Sequence, residues 1–248
     1  MIKIYTINLF TENARREKIL SLAKKLELPI KIENAIIGSN LSKEYLDNLT
    51  NESIDKIGRN LSPGEVGCYL SHIKCLKNFL SSGDEFAIIL EDDVTLDYRI
   101  KDFISTIEFK ETTLFFDVML LGYRNGYGSY WGKKKWNSHK LLRFPDCGYG
   151  AHAYLVTRKG AEKIVYNNAI PIWPYDYVTG GRADKTIRVY GVEKKIVDLD
   201  FYNSSCSSLE AERNYLGAYS SEYKVKTPFV LYVLKKLIKG LKPIRVYK

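Results

Sequence analysis

Phe86-Ala87-Ile88-Ile89-Leu90 is an unbroken apolar run of strand length that ends on three consecutive carboxylates, Glu91-Asp92-Asp93. Side chains alternate across a strand, so a run that is apolar on both faces must be covered from both sides, as happens to a central strand layered by helices. The surrounding segments fit that setting. Ile2 to Asn8 reads as a strand, Asn13 to Leu26 as a helix closed before Pro29, and Ile30 to Ile37 as a second strand. A short helix is expected around Ser42 to Leu49. Ser62-Pro63-Gly64-Glu65 then carries a helix-start signature, with Ser62 as N-cap, Pro63 at the first helical position and Glu65 three residues past the cap. That helix should run to about Leu80.

Beyond the carboxylates, Phe116 to Leu121 reads as another central strand and Gly122 to Lys135 as an aromatic-rich loop, with Tyr127, Tyr130, Trp131 and Trp136 as sugar-stacking candidates or plain packed aromatics. Gly150 to Val156 is a further strand, Lys159 to Asn167 a helix, and Ile170 to Tyr175 a Pro-rich corner. Short strands at Ile187 to Tyr190 and Lys194 to Val197 precede a polar segment, Tyr202 to Ser208. The βαβα order predicts one α/β domain with a mostly parallel sheet and helices on both faces. At 248 residues, 45% hydrophobic and 27% charged, the chain can bury one such core.

The formal net charge of +9 is concentrated at the C-terminus, where Lys224, Lys226, Lys235, Lys236, Lys239, Lys242, Arg245 and Lys248 gather. Val230, Leu231, Val233, Leu234, Leu237, Ile238 and Leu241 recur among them at helical spacing, which predicts a basic amphipathic helix. It would lie on an anionic membrane surface or dock on the protein's own core. The partition is therefore a domain at 1–217 and a tail at 218–248. Nothing in the basic pattern matches a nucleic-acid recognition module. No apolar stretch approaches the roughly 20 residues of a membrane span, and no secretory signal pattern opens the chain, so a cytoplasmic protein with peripheral membrane contact is expected. Cys68, Cys75, Cys147 and Cys206 form no CxxC pair, which argues against a disulfide framework or a zinc site.

Three adjacent carboxylates at a strand end repel one another unless a cation joins them. Glu91-Asp92-Asp93 thus points to a hard ion such as Mg²⁺ or Mn²⁺, shared with diphosphate oxygens, the alternative being a solvated acidic turn. Glu91 and Asp93 alternate to one face and are the candidate ligands.

These features resemble glycosyltransferase family 25, the lipooligosaccharide-biosynthesis and collagen-galactosyltransferase group. The resemblance is carried by Ile7-Asn8-Leu9 with Arg15 or Arg16, by Leu61 to His72 with its Gly-Glu-x-Gly-Cys-x-x-Ser-His pattern, by Ile88 to Val94, and by Gly150 to Ala161. It implies a GT-A-type, Rossmann-like domain and an inverting, metal-assisted transfer of a hexose, galactose first, from a UDP-sugar to a lipooligosaccharide or other glycolipid. The setting implied is the cytoplasmic face of a bacterial inner membrane. Carried onto this chain, it places Ile7, Asn8, Leu9, Arg15, Gly64, Glu65, Gly67, Ser71, His72 and Asp92 around the donor. Glu65 doubles as a capping residue, and His72 competes with a core-histidine reading. The Pro-x-Asp element Pro174-Tyr175-Asp176 supplies Asp176 as the general base, with Asp146 and Asp184 as rivals and a simple helix cap as its other reading. A metal-dependent phosphoester hydrolase is the competing enzyme class, poorly served by three scattered histidines. A non-catalytic glycan- or membrane-binding protein on the same fold is the third.

Overall fold

A computed structural model describes residues 2–106, 114–144, 148–200 and 244–245. In chain order the elements are β1 (Lys3–Asn8), α1 (Asn13–Leu26), β2 (Ile30–Asn34), α2 (Lys43–Ile57), α3 (Pro63–Ser81), β3 (Phe86–Glu91), β4 (Val94–Thr95), α4 (Tyr98–Thr106), β5 (Val118–Leu120), β6 (Asn125–Trp136), β7 (His139–Arg143), β8 (Gly148–Tyr149), β9 (Ala153–Thr157), α5 (Arg158–Asn167), α6 (Tyr175–Thr179), β10 (Val189–Val192), β11 (Asp198–Leu199) and β12 (Ile244–Arg245).

The fold is mixed α/β around one large sheet in the order β12-β6-β7-β10-β5-β9-β3-β1-β2, with β8 on β6. The apolar run is an interior strand, as its sequence requires. Ala87 and Ile89 pack with Tyr69, Leu76 and Phe79 of α3 on one face, while Ile88 and Leu90 pack with Ile19 of α1 and Ile100 and Phe103 of α4 on the other. Each such large side chain contributes about 1.5–3 kcal/mol by leaving water.

Strands β2, β1 and β3 run parallel to one another, as do β5 and β10. Between these two groups β9 runs antiparallel to both β3 and β5, a reversal that hydrophobic pattern alone does not encode. The β6–β7 hairpin extends the sheet antiparallel to β10.

Helix α3 begins as the sequence predicts. Ser62 Oγ accepts from the Glu65 amide at 3.1 Å and Glu65 accepts from the Ser62 amide at 3.0 Å, closing a reciprocal capping box. Arg59 adds two bonds to the same carboxylate, at 2.7 and 2.9 Å.

Four expectations change. No strand forms at Lys194 to Val197, where the chain bends before β11. The short helix after Ser42 extends to Ile57, where Gly58 at φ 80° supplies the left-handed C-cap. The second strand stops at Asn34, freeing the following residues to turn beneath α3. The aromatic-rich segment expected as a loop is instead strand β6, turned back by Asn137 at φ 50°, a conformation asparagine tolerates. Trp136 is consequently a packing residue, with its ring 5.3 Å from Phe116 and 6.2 Å from Phe103.

The expected amphipathic helix, the 1–217/218–248 boundary and the 202–208 segment lie outside the described residues, apart from β12, which pairs antiparallel with β6. Among the described residues no helix is long and apolar enough to cross a membrane.

Candidate active site

Strands β1 and β3 are parallel neighbours with Ile7 opposite Glu91, so their carboxyl ends finish side by side. A cleft of about 350 Å³ opens there, within the size range of small-molecule sites. Ile7, Leu9, Arg15, Gly64, Ser71 and His72 line it, joined by all three carboxylates and by Asp176. Asn8 is buried behind them and reaches the cluster by a hydrogen bond.

The three carboxylates have different surroundings. Asp92 is held from the β1 side: Asn8 Nδ2 donates to it at 2.7 Å and Arg15 Nη1 at 3.3 Å. Burial still raises its pKa against those two partners. Glu91 turns toward α3, with Oε1 3.2 Å from Nε2 of His72. Asp93 is the most frustrated of the three, because burial, then Glu91 and Asp92, push its carboxyl up to about 7. Its buried Oδ1 has no hydrogen-bond partner among the described residues. Its backbone oxygen is fixed by the Asp200 amide at 2.8 Å, and Asp200 is ion-paired to Lys18.

An unpartnered buried carboxylate oxygen beside two more carboxylates is a donor set that fits a hard divalent cation. The chain turns at Asp92 and Asp93, so simple strand alternation does not set the directions of these side chains.

His72 is fully buried yet bonded to side chains rather than to a backbone carbonyl. Nδ1 lies 3.1 Å from the Tyr154 hydroxyl, which lies 3.1 Å from that of Tyr175, and the Tyr175 ring stacks on the imidazole at 4.1 Å. Burial drives its pKa down to about 3, opposed by the charge of Asp176. The neutral ring is satisfied when Nε2–H donates to Glu91 and Nδ1 accepts from Tyr154. One helix, α3, thereby links Glu91 to Tyr175, the residue preceding Asp176.

Asp176 sits in the first turn of α6, whose N-cap is Pro174, so it is not the cap residue. Its rival Asp184 accepts bonds from Asn167, Asn168 and Thr186 and is absent from the cleft lining. Asp146 lies outside the described residues.

Two carried-over residues stand apart from the cleft. Glu65 is occupied by the capping box and Arg59. Gly67 serves packing rather than ligand approach, since a Cβ there would sit 2.7 Å from both the Gly38 nitrogen and the Ile36 oxygen. That contact presses the 36–39 turn onto α3, and the Ile36 amide donates to Ser71 Oγ at 2.7 Å. The turn itself lines the cleft.

Arg124 also lines the cleft and was missed, while Cys68 and His152, within the resembling blocks but not assigned to the site, line it too. Arg124 could have been found, since it follows a central strand at the same carboxyl edge. His152 could not: it reaches the cleft because antiparallel β9 presents its amino end there. Burial, then Arg124 and Lys195, lower the His152 pKa to about 3.

A family model described as glycosyltransferase family 25 (LPS biosynthesis protein) matches residues 1–179, from β1 to the last residue of α6. The chain belongs to glycosyltransferase family 25. Among its relatives, procollagen galactosyltransferase 1 of Danio rerio is 25% identical over 170 residues, which is 66% of this chain and 28% of that protein. Procollagen galactosyltransferase 2 of Homo sapiens is 26% identical over 173 residues, 67% of this chain and 28% of that protein. Inactive glycosyltransferase 25 family member 3 of Homo sapiens is 25% identical over 127 residues, 48% of this chain and 21% of that protein. The match thus spans little more than a quarter of the length of the galactosyltransferase relatives.

Proposed function

We propose that this family 25 chain is an inverting hexosyltransferase that moves galactose, with glucose as the second candidate, from a UDP-sugar to a lipooligosaccharide or other surface glycan. The observation that carries the reading is a single cleft holding both Asp93, with its unpartnered buried oxygen, and a separate carboxylate, Asp176. Membership of the family and the galactosyltransferase relatives support it.

In this reading Glu91 and Asp93 would hold Mn²⁺ or Mg²⁺, which would supply charge neutralisation for a diphosphate leaving group. Arg15 and Arg124 add positive charge at the same end of the cleft. Asp92, fixed by Asn8 and Arg15, orients the donor. Ile7, Leu9 and the 35–37 segment form an apolar wall suited to the flat face of uracil. Asp176 takes the proton of the acceptor hydroxyl as that oxygen attacks the sugar carbon opposite the leaving UDP. The C-terminal basic segment would place the enzyme peripherally at the cytoplasmic face of the inner membrane, close to a glycolipid acceptor.

The non-catalytic reading has one observation in its favour, the similarity to a relative named inactive. Both are tested by incubating the protein with Mn²⁺, a glycolipid acceptor and either UDP-galactose or UDP-glucose, and measuring UDP release and glycosylated product. The transferase reading expects product with one donor, with loss in Asp176→Asn. UDP binding without product from either donor would favour the non-catalytic reading.

A further inference from the structure

Cys68 and His72 are four residues apart on α3 and so share one face of the helix. Glu91 approaches that face from the end of β3. The Sγ, a ring nitrogen and a carboxylate oxygen of these three residues all lie within 4.8 Å of one another. Donors this close need only small side-chain adjustments to converge on one tetrahedral ion, for which bonds of roughly 2.0–2.3 Å are usual. All three residues line the cleft, giving an ion an entry path and leaving the fourth position open.

We propose that Cys68, His72 and Glu91 form a site for a thiophilic divalent cation of the Zn²⁺ class, sharing only Glu91 with the oxygen donors of Asp93. The argument is one of donor chemistry. A thiolate with an imidazole selects Zn²⁺ or Co²⁺ over Mg²⁺, whereas a set built from carboxylates alone does the reverse. The surroundings of His72 are those of a metal-bound histidine. With Nε2 turned to the ion, the ring proton resides on Nδ1 and is accepted by Tyr154, 3.1 Å away, which is itself hydrogen-bonded to Tyr175. Stacking on Tyr175 fixes the ring plane. The absence of a CxxC pair in the sequence does not bear on this site, because its third ligand comes from a distant strand. An ion here competes with the oxygen set for Glu91, so the two sites exclude each other.

The test is titration of the full-length, chelator-treated protein with Co²⁺ in the absence of nucleotide, reading thiolate-to-metal charge-transfer absorption. Wild-type protein should develop the band at a single equivalent and lose it when Zn²⁺ is added. Cys68→Ser, with circular dichroism as the folding control, should lack the band, and Glu91→Gln should weaken binding at least tenfold. Asp93→Asn should keep the band. Tyr154→Phe should keep it with affinity lowered about 10–100-fold, the usual cost of losing a ligand-orienting partner. Absence of the band in wild-type protein under excess Co²⁺, or its persistence in Cys68→Ser, overturns the proposal without touching the transferase reading, which uses neither nucleotide-free protein nor Cys68.

Discussion

Replacing Asp93 with asparagine should stabilise the metal-free protein at neutral and alkaline pH. The native carboxyl titrates near 7 against an ordinary value of 3.8, so between those values the native state holds a proton that the unfolded chain has released. Folding therefore grows less favourable as pH rises through this window. The shift corresponds to a ceiling of about 4 kcal/mol above about pH 8. Relaxation and water entry would reduce it to about 2 kcal/mol, or about 4–8 °C in melting temperature for a domain of this size. Asparagine keeps the shape and removes the charge, so Asp93→Asn should melt higher than wild type at about pH 8 and equal to it below about pH 3, where the aspartate is protonated in both the native and the unfolded chain. Scanning calorimetry across that range, with chelator present, reads the difference directly. A variant that melts lower than wild type at alkaline pH, or a difference independent of pH, would refute the reasoning that Asp93 is held under electrostatic strain.

Glu65→Ala breaks the capping box and strands the half-buried Arg59 charge, which should cost about 3–5 kcal/mol in chemical denaturation; a loss under about 1 kcal/mol would mean the pair is solvated. Gly67→Ala drives a methyl group into the Ile36 and Gly38 backbone, and should cost about 1–3 kcal/mol while loosening the cleft wall enough to lower UDP affinity. Asp176→Asn should reduce kcat by about 10²–10⁴-fold with UDP affinity unchanged, and loss of affinity instead would move Asp176 from the acceptor to the donor side. Buried His72 has its pKa lowered to about 3 from 6.5, so its contribution is intact above 6.5 and is lost as pH falls toward 3. His72→Gln should flatten that acid limb of a stability-versus-pH curve.

Local signals in the sequence were direct. Ser62 and Glu65 specify a helix start within a few residues, and the 86–90 run is apolar on both faces because both faces are covered. The carboxylates are legible as a cluster because they are adjacent in the chain, and their place at a strand end follows from where the apolar run stops. What could not be read depends on non-local pairing. The reversal of β9 is invisible to periodicity, since a buried strand looks the same in either direction, and with it go His152 and the partnership of Tyr154 with His72. Residues 125–136 look like a loop by composition, yet they form one strand of an antiparallel hairpin held by its partner β7. Gly67 was read as a donor contact, and the sequence did not show that its lack of a side chain serves the 36–39 turn instead. Cys68 offered no metal-site spacing in the sequence because Glu91, which lies near it, is on another element.

The most direct test of the central claim is calorimetric titration of UDP into wild-type and Asp93→Asn protein, each with and without Mn²⁺. The account predicts that wild-type protein binds UDP tightly only with the metal and that the folded variant loses that dependence. Failure of UDP to bind under any metal condition, or equal metal dependence in the two proteins, would contradict it.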